Sequence, residues 1–164
     1  ANPGNFAVIM GRSVIPIVTD ESGKPFFGDG YEYRYGRMDK IRSGQKLALV
    51  AAGNMLFAAL DAWKMAKEKG RTIALYSVSD WSDLHPDDLK ELAGYENVVV
   101  VEDHNVKTGL GTAIGAAIFE AGHRTKLTKL GVSRYGASGK PSELYKMLGL
   151  DAGSIAAKIE TLLE

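Results

Sequence analysis

The sequence predicts an α/β protein, with a parallel-rich sheet and helices packed on both of its faces. Three observations lead there. Residues 47–52 (LALVAA) and 98–101 (VVVV) are unbroken apolar runs, as expected of strands covered on both sides. Residues 55–69 instead space Leu56, Ala59, Leu60, Trp63 and Ala66 at helical intervals. From Ile41 onward, strand-like and helix-like segments alternate, and parallel strands joined by helical crossovers satisfy that alternation.

Each element follows from its own residues. Residues 6–10 (FAVIM) form a short apolar run, consistent with a buried strand that leads into Gly11, Arg12 and Ser13. Residues 19–30 (TDESGKPFFGDG) are rich in Gly, Pro and acids and read as a connection. Residues 31–35 (YEYRY) alternate aromatic and charged side chains, the signature of a half-buried strand. A lone strand ahead of a connection predicts the tail of a preceding unit. After the strand at 47–52, Gly53 and Asn54 turn the chain, Asn54 is placed to cap the helix, and Gly70 to end it. Residues 72–78 (TIALYSV) are the next strand. His85 and Pro86 then open a helix, with proline at its first position and Asp87 and Asp88 facing the positive helix end. A strand at 98–101, a small-residue helix at 111–121, a strand at 127–132 and helices at 141–148 and 154–163 complete the series.

Composition narrows the function classes. A chain of 164 residues suits one domain, or one domain plus a piece of another. Twenty basic residues balance twenty acidic ones, so no long-range field draws the chain to nucleic acid or an anionic membrane. The absence of cysteine excludes disulfides and thiolate metal sites and fits a reducing compartment, which gives the expectation of a cytoplasmic protein. No apolar run approaches the roughly 18 residues of a membrane span, and the start ANPGNFAVIM lacks a signal pattern.

Several spots invite a chemical reading. Gly109, Gly111 and Gly115 resemble a dinucleotide fingerprint. However, the spacing is G-x-G-x-x-x-G, and the loop EDHNVKT is too long for the tight turn that motif needs, so close helix packing is the preferred reading. Gly28-Asp29-Gly30, with Asn54 downstream, superficially resembles a thiamin-diphosphate motif. It lacks the buried strand in front and the paired Asn, so an ordinary turn is preferred and a metal site rejected. Glu102, Asp103 and His104 are expected just past a strand end, where an acid beside a histidine could move protons. No nucleophile elbow accompanies them, and His85 and His123 are isolated, so a structural or interface role is preferred. Trp63 and Trp81 read as core or interface aromatics. Arg12, directly after a short strand and Gly11, occupies the place of a ligand-facing turn. Taken alone it reads as a surface ion pair, although its guanidinium suits bidentate phosphate binding.

The phrase Tyr135-Gly136-Ala137-Ser138-Gly139, running into Pro141 and a short helix, resembles the closing motif of transketolases. So do, in family order, VIMGRSVIP, DGYEYRYG, LALVAAGNMLFAALDA, ALYSVSDWSDLHPDD and VVVVEDHNVKTGLGTAIG, covering nearly the whole chain. The final motif is specific; the others are shared with E1-type β subunits and deoxyxylulose-phosphate synthases. The resemblance implies a three-layer α/β/α domain with a mixed, mostly parallel five-stranded sheet whose first strand is antiparallel. It implies residues 1–25 as the tail of a pyrimidine-binding domain, 26–43 as linker and first strand, and 44–164 as the transketolase C-terminal domain.

It further implies a parent enzyme that transfers a two-carbon ketol unit between sugar phosphates, using thiamin diphosphate and a divalent metal such as magnesium. Arg12 matches the family's arginine for the substrate phosphate, although Gly11 replaces the small polar neighbour. No catalytic, cofactor or metal residue is assigned in this chain, so the isolated piece is expected to be inactive. Its expected partners are the rest of the transketolase chain, within a homodimer. The alternatives are a non-catalytic assembly or regulatory module, using the helix start near Gly109 and Gly111, or the C-terminal domain of an E1-type β subunit.

Overall fold

The computed structural model describes residues 14–164 and arranges them as one five-stranded sheet with helices on both faces. The strands are β1 (Met38–Arg42), β2 (Leu47–Ala51), β3 (Ala74–Val78), β4 (Asn97–Asn105) and β5 (Lys126–Val132). The helices are α1 (Met55–Glu68), α2 (Pro86–Ala93), α3 (Leu110–Glu120), α4 (Pro141–Leu148) and α5 (Ala152–Leu163). The spatial order is β1-β3-β2-β4-β5. β1 runs antiparallel to β3, and the other pairs are parallel. The sheet is therefore mixed and mostly parallel, with its first strand reversed, as expected.

Strict alternation divides the core between two faces. Leu47, Leu49, Ala51, Leu75, Val99 and Val101 point to one side, where α1 and α5 cover them with Met55, Leu56, Ala59, Ile155 and Ile159. Ala48, Val50, Tyr76, Val78, Val98 and Val100 point to the other, beneath Leu89 and Leu92 of α2 and Ile114 and Ile118 of α3. Because both faces are buried, the central strands carry no polar alternation, which explains the apolar runs.

Two stretches depart from expectation. Residues 31–35 form no strand. Their aromatics are satisfied locally: Tyr33 and Tyr35 meet edge to face at 5.0 Å. Tyr31 packs on Phe27 at 4.9 Å and donates its hydroxyl to Asp39 at 2.9 Å. Gly36 then turns at φ 69°, where a Cβ would lie 2.1 Å from the Asp83 carbonyl oxygen. The strand is β1 instead, which buries Met38, Ile41 and Arg42. β4 is also longer than the apolar run suggests, because pairing with β5 resumes at Asn105 and Val132 after an irregularity. The strand expected at 6–10 lies outside the described residues. Elsewhere the ends shift by a few residues, and Gly70 does end α1: its N–H and that of Arg71 donate to the carbonyls of Lys67 and Ala66.

Candidate functional site

The carboxyl ends of the parallel strands are where an open α/β sheet places ligands, and here β4 supplies most of the polar groups. Glu102, Asp103 and His104 belong to β4 itself rather than following it. Alternation turns Glu102 toward α3 and Asp103 toward the opposite face. Glu102 is only 2% exposed and accepts hydrogen bonds from the Leu110 N–H (2.7 Å) and the Gly111 N–H (3.1 Å). The helix N-terminus, which would attract a phosphate in a nucleotide site, is thereby filled by the protein's own carboxylate.

The glycines exist to let that happen. A Cβ on Gly109 would fall 1.6 Å from Glu102 Oε2, one on Gly111 would be 2.8 Å from Lys129 Cγ, and one on Gly115 2.8 Å from Leu127 Cδ2. α3 can close on Glu102 and β5 only without those atoms, as the packing reading requires. Lys129 Nζ donates to Thr112 Oγ1 at 2.9 Å, which adds a polar tie between α3 and β5.

On the opposite face, the Tyr145 hydroxyl donates to Asp103 at 2.7 Å, joining α4 to β4. Burial, then the neighbouring Asp103 carboxylate, pushes the Tyr145 hydroxyl up to about 12, so it stays protonated at neutral pH. His104 is exposed and takes no part in these bonds. The acids at this end tie the layers together, Glu102 to α3 and Asp103 to α4.

The remaining candidates separate in the same way. His85 heads α2, its Nδ1 accepting from the Asp87 N–H at 3.2 Å. Beside it, buried Asp88 accepts from the Met38 N–H (2.7 Å) and pairs with Arg37 (2.8 Å), fixing α2 to the start of β1. His123 is half-buried at the end of α3. Trp63 donates to the Ile73 carbonyl at 2.9 Å, whereas Trp81 is exposed. Asn54 stands at the head of α1, but its side chain makes no capping bond, contrary to expectation. Its own backbone already lies in the helical region, so the first turn closes on the carbonyls of Ala52 and Gly53.

Gly28-Asp29-Gly30 does not fit a diphosphate or its metal. Asp29 and Gly30 are exposed, exposed Phe27 precedes the turn in place of a buried strand, and the turn closes on itself through the Tyr31 N–H and the Gly28 carbonyl. Among the described residues, no His, Cys, Asp and Glu group is placed to hold a metal ion.

Arg42 was not anticipated. It is 6% exposed, donates from Nη1 to the carbonyls of Thr19 (2.6 Å) and Ile41 (2.7 Å), and lies 5.1 Å over the Trp63 ring. A register irregularity between Lys40 and Arg42 puts this cation inside, and no periodicity in MDKIR announces it. Arg12 lies outside the described residues.

The sequence description of one family, "Transketolase, C-terminal domain", matches residues 36–155. The chain belongs to the transketolase C-terminal domain family. Relatives of known name agree with this. A protein of Actinobacillus succinogenes, named as one of the subunits of an apulose-4-phosphate transketolase, is 32% identical over 133 residues, covering 77% of this chain and 42% of that protein. A 1-deoxy-D-xylulose-5-phosphate synthase of Clostridium perfringens is also 32% identical, covering 79% of this chain and 21% of that protein. A solved structure described as a split gene transketolase, an inactive β4 tetramer, is 27% identical with a TM-score of 0.78 over 93% of this chain and 48% of its own. The chain thus spans less than half the length of each of these proteins. A Pichia stipitis transketolase, 19% identical with a TM-score of 0.60, shares the fold. In this transketolase C-terminal domain, the acids at the sheet's carboxyl end hold the layers together.

Proposed function

We propose that this chain is the C-terminal part of a transketolase. The whole enzyme moves a two-carbon ketol unit from a ketose phosphate to an aldose phosphate, with thiamin diphosphate and a divalent metal such as magnesium. The observation that carries this reading is the family match across residues 36–155, combined with a carboxyl end whose acids are already engaged. On this reading the cofactor and metal are held by the rest of the enzyme. Residues 1–25 are the tail of the pyrimidine-binding domain, 26–43 the linker and first strand, and Arg12 grips the substrate phosphate. Two of the relatives, one named as a transketolase subunit and one as a split gene product, favour supply of the remainder by a second polypeptide. The homodimer of the whole is carried over from the family resemblance. The enzyme works in the cytoplasm; no helix among the described residues is long and apolar enough to cross a membrane.

The 32% identity to 1-deoxy-D-xylulose-5-phosphate synthases supports a second reading, in which the parent makes that product. One assay separates the two. The complete enzyme containing this chain is supplied with thiamin diphosphate, magnesium and sugar phosphates, beside the chain alone. Ketol transfer by the complete enzyme only is expected. Transfer by the chain alone, or synthase product without transfer, overturns the proposal. In that enzyme, Arg12→Ala raises KM for phosphorylated sugars by at least about tenfold, the worth of one charge-assisted contact, and leaves unphosphorylated ones unchanged.

A further inference from the structure

We propose that the amino end of the sheet carries an oxyanion site, in which Lys46, Arg71 and Thr72 take the phosphoryl group of a small ligand. The site lies at the opposite end of the strands from Glu102 and stands apart from the ketol-transfer reading. A cavity of about 160 Å³ opens there between the turn before β2 and the connection from α1 to β3. Gln45, Lys46, Gly70, Arg71, Thr72 and Leu163 line it. Its walls are fixed by backbone. Gly44 sits so close to the second connection that a Cβ would fall 2.0 Å from the Ile73 carbonyl carbon, and the Gln45 N–H donates to the Thr72 carbonyl at 3.0 Å. The Lys46 carbonyl accepts from the Asn97 N–H at 3.1 Å.

Between these anchors, Lys46 is the one residue other than glycine with a positive φ among the described residues, 61°. The Leu47 N–H closes its turn onto the Gln45 carbonyl at 2.7 Å, a strained three-residue form that glycine would hold at less cost. A lysine kept there argues that its exposed ammonium is used. The side-chain ends of Gln45, Lys46 and Thr72 have no partner among the described residues. Arg71 gives Nε and Nη2 to Glu160 at 3.2 Å and keeps Nη1. Glu160 does not line the cavity, and its other oxygen is buried. The helix carbonyls that would repel an anion are engaged: Ala66 and Lys67 accept from the Arg71 and Gly70 N–H groups, and Leu162 accepts from the Asn97 side chain. Four donors, two of them cationic, thus meet with no carboxylate among them, which suits an acceptor-rich dianion. The cavity is smaller than the roughly 300 Å³ at which sites for whole small molecules begin. It suits one phosphoryl group, with Leu163 beside whatever that group is attached to.

Titration of this chain with inorganic phosphate, followed by amide NMR, tests the site. The signals of Gln45, Lys46 and Thr72 should shift saturably with a midpoint of about 1 mM, the worth of two charge-assisted contacts. Val99 and Val100 should not move, and sodium chloride at the same ionic strength should shift none of these signals. Lys46→Gly removes the cation and the strain together. It should raise the midpoint at least about tenfold and leave the urea midpoint of the phosphate-free chain nearly unchanged, whereas Lys46→Arg should keep the binding. Thr72→Val, on the other wall, should raise the midpoint about threefold and decides the matter should Lys46→Gly not fold. Glycerol phosphate, titrated in parallel, separates the sources of the group: tighter binding than inorganic phosphate assigns an ester, weaker binding the free ion. Unchanged phosphate affinity in Lys46→Gly or in Thr72→Val overturns the site, as does chloride moving the same signals to the same extent.

Discussion

At the head of α3, Gly109 and Gly111 stand against a buried carboxylate; in the turn Gly28-Asp29-Gly30, nothing lies within 4 Å of where a Gly30 Cβ would be. Both phrases look like pieces of a phosphate-binding motif. In the first, glycine makes room, because any side-chain atom would displace Glu102 from the two N–H groups it serves. In the second, glycine supplies a conformation, φ 87°, that other residues adopt only under strain. What a glycine means is decided by what faces it, and spacing in the sequence does not carry that information.

Removing the facing group breaks the contrast most sharply. Glu102→Ala leaves two buried helix N–H groups without an acceptor and should destabilise the chain by about 3 kcal/mol, read as a lowered urea midpoint at constant slope. Gly109→Ala should cost about 2 kcal/mol, since the new methyl group pushes the carboxylate off the same donors. The two effects share one cause. In a double-mutant cycle, Gly109→Ala on the Glu102→Ala background should cost at least about 1 kcal/mol less than alone. Strict additivity would show that Gly109 serves something other than Glu102. Gly30→Ala has only backbone strain to overcome and should cost about 1 kcal/mol. Its effect should be independent of Glu102.

The sequence carried the core better than it carried the ties between elements. Strands β2, β3 and the first half of β4 were legible because burial on both faces leaves their runs mainly apolar, and α1 because its apolar stripe repeats at 3.6 residues. β1 was not. Its polar groups find partners far along the chain: Lys40 meets Glu91 at 2.7 Å, and the Met38 N–H meets Asp88. The alternation in YEYRY satisfied a strand pattern, but the tyrosines met it by stacking on one another and on Phe27. Glu102 could be read as structural, yet its donors lie eight and nine residues onward, across a loop whose course no spacing rule fixes. Arg42 left no trace at all, since a strand irregularity decides which way it points. Arg12 rests on family resemblance alone.

A third helix start sharpens the comparison by capping locally. Asp151 accepts from the N–H groups of Gly153 and Ser154 and from the Ser154 hydroxyl, so α5 needs no distant strand to satisfy its first turn. The hydroxyl bond from Ser154, offset in part by burial and helped by those N–H groups, holds the Asp151 carboxyl below its ordinary value. A carboxylate depressed in the folded chain contributes stability above its unfolded pKa, about 4, and loses it as pH falls through the folded value. Asp151→Asn keeps a side-chain oxygen for the N–H groups and should cost well under 1 kcal/mol at pH 7, this site being open to solvent. It should, however, remove part of the fall in melting temperature between about pH 5 and pH 3. Other depressed carboxylates, such as Glu91, where the Lys40 ammonium and the Tyr76 hydroxyl outweigh burial, keep the rest of that slope. If Asp151→Asn leaves the acid limb unaltered, the local cap is not engaged as a charge. α5 would then depend on packing against α1 for its start, much as α3 depends on Glu102.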